Sequence, residues 1–160
     1  MMYYLFKQSQ ASIVKEVLMQ MSTTNPIYIQ RIADASPFGE GVRVLIDRLW
    51  PRGFPRKKTQ IDEWMKDIAP SAELQHWFAH IPERYPVFSA FYERELLEDP
   101  LHVEMLLRLK NYQTRSALIL IYGSKNTEHN NAQVLLRVLQ RICETSPHVY
   151  VHNNQTVRNN

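Results

Sequence analysis

Arg48, Trp50 and Arg52 alternate along the run Val42-Arg43-Val44-Leu45-Ile46-Asp47-Arg48-Leu49-Trp50-Pro51-Arg52-Gly53. Guanidinium groups are planar forks that match phosphate or carboxylate oxygens. Each ionic hydrogen bond is worth roughly 1.5–3 kcal/mol net, so two converging arginines could dominate the binding of a small anion. Trp50 beside them could stack on a base or on a guanidinium; its structural alternative is ordinary core packing. Arg52, held between Pro51 and Gly53, has the least structural reason to be there. Arg43 adds a further cation on the same run. Asp47 could act as a general base, a metal ligand or a brace for Arg43 or Arg48, and neighbouring cations are expected to lower its pKa, which suits a brace.

A second polar run, Gly123-Ser124-Lys125-Asn126-Thr127, follows the apolar stretch ending at Tyr122. Backbone N–H groups at a helix start attract anions, and Lys125 adds charge. Asn126 or Thr127 has the chemistry of an N-cap. The glycine spacing of a nucleotide-binding P-loop is missing. His129 could move a proton near neutral pH, although a histidine in a first turn is commonly just solvated. Asp47 and His129 are therefore the candidate catalytic groups, and Arg43, Arg48, Trp50, Arg52, Lys125 and Asn126 the candidate ligand contacts. His76 and His80 have the i, i+4 spacing of metal ligands but no accompanying acid or thiol cluster, so no metal or cofactor is expected. Cys143 reads as packing.

Positioning these groups requires strands. Ile27 to Ile32, Val42 to Asp47 and Ser116 to Tyr122 are rich in β-branched residues, and the last is almost continuously apolar, as in a strand covered on both faces. Helices are expected from Ser71 as N-cap, with Leu74, Trp77 and Phe78 inside; over 86–98, with Phe88, Phe91, Tyr92 and Leu96 inside; from Pro100, with Val103, Leu106, Leu107 and Leu109 inside; and over 129–144. Residues 60–68 fit a helix or a short strand, and 148–151 a last strand. Strands separated by helices predict a single layered α/β domain, a mainly parallel sheet flanked by helices in a Rossmann-like manner. Ligands in such sheets bind beyond the carboxyl ends of the strands, where the loops after Asp47 and Tyr122 would meet.

The 160 residues suit one domain, expected over 25–152, with residues 1–24 a leader outside the native fold and 153–160 a polar tail. One cysteine forms no internal disulfide, which points to a reducing, cytoplasmic setting, and no apolar run is long enough for a membrane span. Net charge is +3, yet residues 43–58 hold six cations against Asp47 alone, a local +5 that leaves −2 elsewhere. Such a concentration favours an anionic small molecule or nucleic acid. Three readings follow: an enzyme or former enzyme acting on a phosphate-bearing molecule, a nucleic-acid-binding module without catalysis, or a protein-interaction domain.

In this order of segments the chain resembles domain-of-unknown-function family 488, in its YeaO-like branch. The matching residues are Arg31 with Asp34, Gly41-Val42-Arg43, Asp47 through Gly53, Trp64 with Lys66, Ala69-Pro70-Ser71, Leu74, Trp77-Phe78, His80, Phe88, Tyr92, Glu95-Leu96, Leu120-Ile121-Tyr122 and Lys125-Asn126. The resemblance implies a compact cytoplasmic α/β domain and brings no settled activity. Relatives outside the branch carry cysteine and histidine where Tyr122, Asn130 and Asn131 stand here. Within the branch a histidine is usual at the place of Asn131, which removes one support for a histidine mechanism unless His129 substitutes.

Overall fold

A computed structural model of the protein describes residues 12–14, 16–18, 25–34 and 36–144. Four strands, β1 (Ile27–Arg31), β2 (Val42–Leu45), β3 (Glu63–Trp64) and β4 (Leu118–Tyr122), form one all-parallel sheet in the order β1-β4-β2-β3. Among the described residues, four helices with complete bounds pack with it, α1 (Ala72–Phe78), α2 (Tyr85–Glu98), α3 (Pro100–Arg115) and α4 (Asn131–Glu144), and residues 12–14 and 16–18 are helical too. It is an α/β domain of the expected class. β4 is central because its five side chains Leu-Ile-Leu-Ile-Tyr are all buried, and a strand apolar on both faces needs cover on both.

Alternation along the strands sorts side chains onto two faces. Ile29, Val44, Ile46, Leu118, Leu120 and Tyr122 point to one face, where they join Phe88, Tyr92, Leu96, Leu106, Leu109, Leu135 and Leu139 from the helices. Leu45, Ile119 and Ile121 point to the other, where the cover among the described residues comes from Tyr28, Ile32, Phe38, Trp50, Ile61 and Trp64, on strands and loops. Leu18 is buried in the helix-side core and Val14 packs against it, so this part of the expected leader is packed with the domain.

Helix starts follow their caps. Ser71 Oγ accepts from Leu74 N at 3.3 Å and opens α1; Asp99 Oδ2 accepts from His102 N at 3.1 Å and opens α3, with Pro100 in the first turn. The α4 helix starts at Asn131 rather than 129, because Asn130 Oδ1 accepts from Gln133 N at 3.0 Å and is the actual cap.

Two expected core residues are outside. Phe91 is 54% exposed and Trp77 42%. At about 100° per residue, Phe91 lies about 60° round from Phe88 on the side away from Tyr92 and Leu96, and Trp77 one step round from Phe78. Residues 60–68 resolve into the two-residue β3 and a 3-10 turn over Lys66–Ile68. The expected strand at 148–151, the tail and the Cys143 side chain lie outside the described residues.

Candidate functional site

β2 and β4 are hydrogen-bonded neighbours, so their exit loops meet at the carboxyl end of the sheet. Asp47 leaves β2 with its carboxylate turned across to β4. Oδ2 accepts from Gly123 N at 2.7 Å, and Oδ1 accepts from Asn131 Nδ2 at 3.2 Å. Gly123 is tightly fitted: a Cβ would stand 3.0 Å from both Asp47 Oδ2 and Pro51 Cγ, so a side chain there would push the two loops apart by a few tenths of an ångström. The two loops are therefore joined at Gly123, with Pro51 and Asp47 on one side and Ser124 on the other.

Asp47 differs from the expected arginine brace. Burial pushes its carboxyl above the ordinary value; the Asn131 and Gly123 hydrogen bonds and the nearby His80 offset this only partly. The arginines do not depress it because both are engaged elsewhere. Arg43 donates from Nη2 to Gln30 Oε1 at 2.7 Å and from Nη1 to Ser36 Oγ at 2.9 Å. Arg48 donates from Nη2 to Pro70 O at 2.7 Å.

Trp50 is built into the fold as well. Its Nε1 donates to Phe54 O at 2.6 Å, and its ring meets Trp64 edge-on at 5.7 Å. Trp64 Nε1 donates to Asp47 O at 2.8 Å. The guanidinium between these rings belongs to Arg56, 4.9 Å from one centroid and 4.8 Å from the other. Arg52 is exposed.

On the β4 loop, Asn126 turns its side chain inward: Oδ1 accepts from Glu128 N and His129 N, both at 2.9 Å. Ser124 Oγ accepts from Asn126 N at 3.2 Å. His129 packs on Tyr85, ring centroids 4.7 Å apart, and Tyr85 donates to Asn130 O at 3.2 Å. Lys125 is exposed, and neither it nor Arg52 pairs with a carboxylate among the described residues.

Beside this loop lies a pocket of about 100 Å³, lined by Gln75, Phe78, His80, Phe88, Ser124, Asn130 and Asn131. Phe78 and Phe88 stack at 4.3 Å to form its apolar wall. His80 reaches the pocket because Ala79 and His80 both take positive φ, 47° and 57°, turning the chain sharply after α1. That turn also takes His80 off the helix that carries His76, and no group of three metal-ligating side chains exists among the described residues.

Lys125, Asn126 and His129 thus share one loop, joined through Gly123 to Asp47 and to the Pro51–Arg52 corner, while Arg43, Arg48 and Trp50 serve other contacts. The sequence pattern missed Gln75, and it read Phe78 as helix core, His80 as one of a metal-spaced pair and Ser124 as part of the polar run without bringing them to one pocket. The left-handed pair that delivers His80 contains no glycine and so left no signal.

Residues 26–155 match the family described as "Inactive DUF488-N3 subclade". The chain belongs to the DUF488 family. It is 38% identical to the uncharacterized protein YeaO of Escherichia coli (strain K12) over 109 residues, 68% of this chain and 92% of that one. It is 31% identical to the uncharacterized protein Rv3073c of Mycobacterium tuberculosis (strain H37Rv) over 113 residues, 71% of this chain and 92% of that one. No solved structure matches it significantly. No helix among the described residues is long and apolar enough to cross a membrane.

Proposed function

We propose that this DUF488 protein is a binding domain without catalysis, holding a small ring-bearing anion at the joined exits of β2 and β4. The observation that carries this reading is the pocket lined by Ser124, next in sequence to Gly123, with two exposed cations that pair with no carboxylate among the described residues close by in the chain: Lys125 follows Ser124, and Arg52 follows Pro51, which packs against Gly123. A void of about 150 Å³ holds a benzene, so this pocket of about 100 Å³ admits one edge of a ring, with the rest of the ligand outside it. The stacked Phe78 and Phe88 supply an apolar wall, and Gln75, His80, Ser124, Asn130 and Asn131 are the polar residues that line the rest. Arg52 and Lys125 would take the anionic group from outside.

Absence of catalysis is supported from two directions. Both oxygens of Asp47 are occupied by internal donors, which makes it a fastener between the loops instead of a free base. The subclade's own description is inactive.

A pyrimidine nucleoside monophosphate, its nucleoside and inorganic phosphate test the reading by calorimetry and thermal shift. The monophosphate should bind more tightly than either fragment. Arg52→Ala and Lys125→Ala should each weaken it roughly tenfold or more, the worth of one ionic hydrogen bond, and the recovered nucleotide should be chemically unchanged. Equal affinity in wild type and both variants, or no binding of any of the three, would remove the proposal.

A further inference from the structure

The loop between β2 and β3 carries three consecutive cations on a 3-10 turn, Arg56–Lys58, all exposed. The turn is pre-formed. Lys58 N donates to Pro55 O at 2.9 Å, and Thr59 Oγ1 donates to Arg56 O at 3.0 Å. Its base is tied to the sheet through the Trp50 bond to Phe54 and through Arg56 over both tryptophans. Presenting these charges to a partner therefore costs little ordering entropy.

The charges are also not neutralised. The next acids along the chain are committed elsewhere: Asp62 Oδ2 accepts from Arg43 N at 2.8 Å, and Glu63 accepts from Arg108 and Tyr112. No carboxylate pairs with Arg56, Lys57 or Lys58 among the described residues.

We propose that the Arg56–Lys58 turn is a docking surface for the phosphate backbone of duplex nucleic acid, read without regard to sequence. Two features favour a duplex over a single strand. Sequence-tolerant single-strand binding uses open aromatic faces for base stacking, whereas Trp50 and Trp64 are covered by each other and by Arg56. Bare cations without a stacking platform gain most from the densest line of phosphates, which the duplex offers. The surface is separate from the pocket proposal, since it uses neither Arg52 nor Lys125.

Fluorescence anisotropy of the full chain with a labelled 20-base-pair DNA duplex tests it. Binding at 50 mM salt should weaken about 40-fold by 200 mM, the fall expected when three phosphates are neutralised. A scrambled duplex and an RNA duplex should bind within a few-fold. Lys57→Glu/Lys58→Glu should lower affinity at least tenfold with an unchanged circular dichroism spectrum, because neither side chain packs in the core. Arg52→Ala/Lys125→Ala should leave duplex binding intact. The proposal is overturned by no binding at 50 mM, by full binding in the charge-reversed variant, by tighter binding to a single strand, or by tighter binding to phosphatidylserine-containing vesicles.

Discussion

The two sides of the sheet are covered by different materials. On one side, helices lay Phe88, Tyr92, Leu96, Leu106 and Leu109 against Leu118, Leu120 and Val44. On the other, a smaller cluster of Leu45, Ile119 and Ile121 is roofed by partly buried rings from strands and loops: Tyr28 stacked on Phe38 at 4.2 Å, and Trp50 against Trp64. The helix side is held by deep aliphatic burial, which scales with area. The loop side is held by a few directional contacts, namely two indole N–H bonds and one guanidinium over two rings. The difference explains why the most distinctive stretch of the chain, Asp47 to Gly53, is mostly architecture. Among the described residues no helix covers that face, and Trp50 and the residues it touches do so.

Breaking the helix side should cost most. Leu106 is fully buried, and Leu106→Ala should destabilise the protein by about 3 kcal/mol in urea unfolding. Trp64→Ala removes a half-buried ring, its bond to Asp47 O and one face of the Arg56 contact; about 2 kcal/mol is expected. Hydrogen exchange sharpens the comparison. After Trp64→Ala, amides over 54–59 should lose protection while those of α2 and α3 keep theirs; equal loss on both sides would refute an independent loop-side cover. Arg56→Ala should cost about 0.5–1 kcal/mol, the range of an exposed cation–π contact.

The smallest effects come from two carboxylates of opposite sign. Burial opposes ionisation of Asp99, but hydrogen bonds from the His102 ring and backbone N–H, with the attraction of that ring, outweigh it and hold the carboxyl below its ordinary value. Its stabilising contribution is present above the ordinary carboxylate value and is lost as pH falls through the lowered one. Asp47, raised by burial, does the reverse: its contribution is present below the ordinary value and is lost as pH rises through the raised one. Urea midpoints between pH 3 and 6 should therefore fall less steeply on acidification in Asp99→Asn and more steeply in Asp47→Asn. Profiles that tilt the same way would contradict the opposed shifts.

Much of the architecture is legible in the residues. The apolar strand ending at Tyr122, the Ser71 cap, Pro100 at a helix start and the run from Val42 each announce their element locally. What resists reading is set by partners distant in sequence. Asp47 could be seen to end a strand, but not that its oxygens go to Gly123 and Asn131, which lie 76 and 84 positions away. Nor could the sequence say that Arg56, four residues beyond Arg52, is the cation that takes the tryptophans. His80 enters the pocket through backbone angles that neither Ala79 nor His80 advertises. Trp77 and Phe91 sit at the margins of their helical stripes, where spacing alone does not decide between inside and outside.

The order β1-β4-β2-β3 places an interior strand, β4, as the last of these four to be synthesised. Among the described residues, β1 has no neighbour except β4, and β2 touches β1 only through it. A nascent chain that has not yet released Leu118 from the ribosome holds β1 without a partner and β2 with an open edge, and three helices already made have no complete sheet to lie on. Assembly must wait for one five-residue strand near residue 120, and that interval, with apolar edges uncovered, is when the growing chain most needs a chaperone.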